Sequence, residues 1–186
     1  MNSLYSFLYR VSRLSVWVFG AGYLLIALAT TADVLSRNLF GISTPAIYEI
    51  SEYIFAIATT WGFAFVLFHR AHVRIDVAYQ HMGARVRAWL DLASLLALGL
   101  FVGVLTWRAW LTLDETLLFG SRARTALQTP LWIPQSIWLA GLAFFLLCLV
   151  FLALYVLVLL LRGQVARVGH IAGIPHISGS AGEGQP

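Results

Sequence analysis

The sequence predicts an all-α integral membrane protein with four transmembrane helices. Three observations carry this. Four long apolar stretches, 14–36, 46–68, 86–113 and 131–161, fill most of the 186 residues. Each meets the about 20 apolar residues that a helix needs to cross a hydrocarbon core about 30 Å thick. Hydrophobic residues make up 60% of the chain and charged residues only 11%, and mean hydropathy is +0.83, a balance foreign to a soluble domain. Backbone polar groups in lipid must be satisfied within the fold, which excludes open sheets.

The elements follow in order. In residues 1–13, Leu4, Phe7, Leu8, Val11 and Leu14 fall at helical spacing on one face, and Arg10 and Arg13 can reach lipid phosphates. Such a segment reads as an amphipathic helix lying in the membrane interface, or as a simple extension of the first span. The first span, 14–36, runs too long for a signal-peptide core, so an uncleaved helix is expected. The second span follows the turn that ends at Pro45, and the third and fourth are separated by a polar connection. The residues after 162 are rich in Gly, Ser, Pro and His, with no core-forming pattern, so 163–186 is expected to be a disordered cytoplasmic tail. His170 and His176 there read as solvated residues rather than metal ligands.

Orientation comes from the arginines. All twelve basic residues are arginine, and apart from Arg108, inside the third stretch, they sit beside or between the apolar stretches. Eight of them (10, 13, 70, 74, 85, 87, 162 and 167) fall on one side, and three (37, 122 and 124) on the other. The arginine-rich side is expected to face the cytoplasm, with both termini inside. The excess of positive charge therefore reads as topology and lipid contact, not as nucleic-acid binding.

Charges near the spans are the candidates for function. Asp33 and Arg37 stand four apart at the end of the first span, and Glu49 and Glu52 three apart at the start of the second. Helix dipoles favour a cation at the first end and carboxylates at the second. The short turn should bring Arg37 close to Glu49, as a clamp between the two helices rather than an ion or substrate site. On the opposite side, Arg70, His72 and Asp76 form a charged loop suited to docking or to a hydrogen-bonded cap. Asp91 and Arg87 stand four apart and should pair, whereas Arg108 can snorkel or pair with another helix. Gly99 and Gly103 form a GxxxG pattern, which lets membrane helices approach closely. Cys148 is the single cysteine and reads as a small packing residue.

The inventory argues against an enzyme. All five histidines lie outside the spans, so haem cannot be held by membrane histidines. The lone cysteine cannot form a thiol pair, and no phosphate-binding glycine loop is present. Four continuous helices without a mid-membrane polar cluster also argue against an autonomous carrier. A haem-free membrane anchor or assembly subunit of a respiratory enzyme complex is the alternative reading.

The same landmarks resemble the small membrane subunit of tripartite ATP-independent periplasmic (TRAP) transporters. The resemblance runs from Arg37-Asn38-Leu39-Phe40-Gly41 through Pro45 and Glu49 to the mid-helix pair Trp61-Gly62. It continues in Arg70-Ala71-His72-Val73-Arg74-Ile75-Asp76 and in Thr129-Pro130-Leu131-Trp132-Ile133-Pro134, so it spans roughly residues 30–155 in order. The chain departs from the pattern at Tyr48, where an aromatic is displaced, and at Glu52, a second acid. The resemblance implies a small permease subunit in the bacterial inner membrane with no cofactor of its own. Its partners would be a large membrane subunit, which moves an organic anion such as a carboxylate with sodium, and a periplasmic substrate-binding protein. The small subunit would enlarge the fixed scaffold of the large one.

Overall fold

The computed structural model describes residues 2–42, 44–69, 83–125 and 127–163. The segment holding Arg70, His72 and Asp76, and the tail from 164 onward, lie outside the described residues. Among the described residues there are four helices: α1 (Asn2–Phe40), α2 (Pro45–Phe68), α3 (Ala84–Phe119) and α4 (Trp132–Leu161). All four are long and apolar enough to cross a membrane. At 1.5 Å per residue α1 is about 58 Å long and α2 about 36 Å, against a hydrocarbon core of about 30 Å. The protein is therefore an all-α, multi-pass membrane protein.

The main packing pairs are α1 with α2, α2 with α4, and α4 with α3. The helices thus sit in the order 1-2-4-3, with α2 and α4 central. Along α4, Leu142, Phe145, Leu149, Leu152, Val156 and Leu159 are buried at alternating steps of three and four. On α3, Ala88, Leu92, Leu95, Val102, Ala109 and Leu113 fall on one face at steps of three, four or seven. These two stripes build most of the core, with Ala64 and Leu67 of α2 added. Cys148 is fully buried among them. Lipid tails are as apolar as leucine, so close packing rather than escape from water holds these faces together.

The N-terminal residues are continuous with the first span. α1 is one continuous helix from Asn2 to Phe40, with no break near residue 13. Its first turns are fastened to the end of α2. Leu8 and Ser12 are buried, and the rings of Tyr5 and Tyr9 meet Phe68 edge-on at 5.3 and 6.1 Å. The apolar face read from the sequence is mostly turned outward: Leu4, Phe7 and Leu14 are exposed, and only Leu8 is fully covered.

Both connections at one end are tightly folded. Gly41 adopts a left-handed φ of 68° and returns its N–H to Arg37 O at 3.1 Å, ending α1. Pro45 opens α2 at a position where a missing N–H costs nothing. Gly120 ends α3 with φ 57°, and Ser121 N–H bonds back to Thr116 O at 3.1 Å. From there Ala123 N–H meets Thr129 O at 2.9 Å, and Leu131 N–H meets Ser121 O at 3.2 Å. The α3–α4 connection is therefore a short hairpin that lies at the same end as the α1–α2 turn.

Candidate functional site

At that end two carboxylates tie the connections to the helices. Asp33 is buried near the end of α1, and its Oδ1 accepts the backbone N–H of Thr44 at 2.6 Å. Thr44 is the N-cap residue of α2, so Asp33 satisfies one of the backbone donors around a helix start. Glu49, also buried, accepts the Tyr53 hydroxyl at 3.0 Å on Oε1 and the Thr125 hydroxyl on Oε2. The side chain and backbone N–H of Thr129 reach the same carboxylate. One acid at the N-terminal end of α2, where the helix dipole favours it, thus pins the α3–α4 hairpin across the bundle.

This corrects the expected clamp. No Arg37–Glu49 ion pair forms among the described residues: Glu49 is occupied by hydroxyls, and Arg37 is exposed. The link between α1 and α2 is made instead by Asp33 and the Thr44 backbone. The physical reason is proximity within the turn. A buried carboxylate beside an unpaired N–H wins over a flexible guanidinium that water or headgroups can solvate. Glu52 is exposed and borders a groove between α1 and α2. Arg108, Asp114 and Glu115 are exposed on α3.

A second group sits deeper. Trp61 of α2 donates its indole N–H to Ile137 O of α4 at 3.1 Å. Its ring stacks on Phe144 of α4 at 5.7 Å and meets Phe19 of α1 at 5.2 Å. One side chain therefore joins three helices. Gly141 makes this possible: a Cβ built there would stand 2.6 Å from Thr60 Oγ1 and 2.8 Å from Trp61 Cδ1. The adjacent Gly62 has open space where its side chain would be, as does Gly99. Gly103 faces Leu146 at an ordinary 4.0 Å. Among the described glycines, therefore, Gly141 rather than the GxxxG pair sits where a neighbouring helix leaves no room for a side chain.

Among the described residues, no three His, Cys, Asp or Glu side chains gather as metal ligands. Arg70, His72 and Asp76 lie outside them. Sequence reasoning singled out Glu49 and Trp61 but missed Thr125 and Gly141, their partners. A lone glycine inside a 30-residue apolar helix is a legible signal, since it costs about 1 kcal/mol relative to alanine and needs a packing reason. Thr125 carries no such signal, because its role depends on how the hairpin folds back over α2. The arrangement fastens helices and connections, and it leaves Arg37 and Glu52 as exposed charges at one end.

Residues 26–162, more than two thirds of the chain, match the family model described as tripartite ATP-independent periplasmic transporters, DctQ component. No curated protein and no solved structure matches.

Proposed function

Because the chain belongs to the DctQ component family of tripartite ATP-independent periplasmic transporters, and so is the small subunit of such a transporter, we propose the following division of labour. The chain is a scaffold in the bacterial inner membrane that supports a large transporting subunit. It also helps to form the surface on which a periplasmic substrate-binding protein docks. The large subunit moves an organic anion, such as a carboxylate, coupled to sodium.

One observation supports the scaffold role above the rest. Residues 14–32, 53–68, 92–107 and 131–161 contain no charged side chain, so the middle of every span offers nothing to hold an organic anion. The buried carboxylates Asp33 and Glu49 sit towards one end and are engaged by the connections. Anion sites in membrane carriers are built from broken helices whose N-termini point at the substrate. Here α1–α4 run without interruption across the spans.

The excess of arginines supports an orientation with both termini in the cytoplasm, in which the end with Asp33, Glu49 and the hairpin would face the periplasm. That end would meet the binding protein, and the exposed Leu4, Phe7 and Leu14 would lie against lipid at the other. In liposomes the chain alone should move no organic anion. Co-reconstitution with the large subunit and the binding protein should give sodium-dependent uptake. Saturable uptake by this chain alone would refute the scaffold role.

A further inference from the structure

A groove of about 590 Å³ runs between α1 and α2 near Glu52, and a smaller part of about 240 Å³ continues it as far as Gly62. Tyr23 and Phe55 line both parts, with their rings 5.7 Å apart. On this side α1 is poorly covered, and Tyr23 and Phe55 are exposed. Gly20 and Gly62 line the smaller part, and a Cβ at either would meet nothing within 4 Å. Glycine-lined surfaces of this kind admit another helix closely.

The polar groups of the groove say what that helix must carry. Thr30, Thr31, Ser51 and Thr59 line it, and each hydroxyl proton is already given to a carbonyl of its own helix at 2.7–2.9 Å. Their oxygens remain as acceptors. Glu52 adds an exposed carboxylate at one end, and Tyr23 is the lining side chain with an O–H left to give. The groove is therefore rich in acceptors and negative. A phosphate headgroup needs several donors and positive charge, and the groove lining supplies the Tyr23 O–H and no cation. A guanidinium or ammonium fits, and Glu52 at the membrane edge is stabilised by a cation.

We infer that this groove seats a transmembrane helix of the large subunit bearing an arginine or lysine level with Glu52. The inference rests on the proposed partnership and adds where it is made and by what charge. The test places a photo-crosslinking amino acid at Thr31 or Thr59 in the groove, and at Leu100 on α3 or Leu154 on α4 as exposed controls. Each variant is co-expressed with the large subunit and irradiated in native membranes. Thr31 and Thr59 should give adducts with the large subunit, mapping by mass spectrometry to a helix with an arginine or lysine. Glu52→Gln should lower the groove adduct about three- to tenfold, the range of a single polar contact between membrane helices. Adducts only from the α3 or α4 controls would overturn the groove while leaving the partnership intact. Adducts from the groove to lipid or to a second copy of this chain would also overturn it, as would an unchanged yield in Glu52→Gln. If the folded chain neither co-purifies with nor crosslinks to the large subunit from any position, the partnership itself fails.

Discussion

Gly141→Ala should destabilise the bundle, although alanine is the better helix former. The new Cβ would sit 2.6 Å from Thr60 Oγ1, where ordinary contact begins near 3.4 Å, so the two atoms must part by 0.8 Å. Neither neighbour is free to move. Thr60 is buried, and its hydroxyl is held by Ala56 O and Ile57 O at 3.2 and 3.0 Å. Trp61, 2.8 Å away, is held by Ile137, Phe144 and Phe19. Overpacking a close-fitted site costs about 1–3 kcal/mol, and two fixed neighbours put this case at the upper end. Removing a helical glycine returns about 1 kcal/mol, so the net loss is about 2 kcal/mol. For a chain of this length that lowers the apparent midpoint by about 4–8 °C in a thermal unfolding assay of the detergent-purified protein. Gly99→Ala is the matched control: its Cβ meets nothing, so it should be neutral or stabilising. In a Thr60→Ala background, which removes the nearest atom, Gly141→Ala should cost less, and a double-mutant cycle reads that coupling. A Gly141→Ala protein as stable as the parent would show that the α2–α4 contact is looser than the geometry requires.

Three further outcomes test the end that holds the connections. Asp33→Ala strands the Thr44 N–H and should cost about 1–3 kcal/mol, with faster hydrogen exchange at that amide; unchanged exchange would count against the Asp33 link. Glu49→Gln and Thr125→Val should couple in a double-mutant cycle of thermal stability, whereas Glu49→Gln and Arg37→Ala should be additive; the opposite pattern would restore the ion pair that the structure lacks. In a Cys148→Ala background, a cysteine at Leu127 should react with an impermeant thiol reagent from the periplasm, and one at Arg162 should be protected in intact cells; reversal of the two would invert the proposed orientation.

Several features were legible in the residues alone. Long uncharged runs specify four membrane helices, because hydrocarbon tolerates little else. Gly41 and Pro45 mark the reversal between α1 and α2, because a left-handed φ and a missing N–H restrict which residues can stand there. Glu49 stood out as a carboxylate at a helix start, and Trp61 through the resemblance to the TRAP small subunit. Their partners did not. α4 is apolar on every side, so hydrophobic periodicity cannot reveal that Leu142, Leu149 and Val156 face inward. At the N-terminus, Tyr5 and Tyr9 make the contact with Phe68 of α2, and the residue pattern alone did not single them out. Turn length suggested that Arg37 would meet Glu49. The choice was made by a residue 76 positions away, when the hairpin brought Thr125 over the carboxylate. Local sequence thus determines which segments become helices and where they stop, since those depend on backbone and solvent. Which faces meet, and which acceptor a buried charge finds, depends on distances that exist only once the helices are packed.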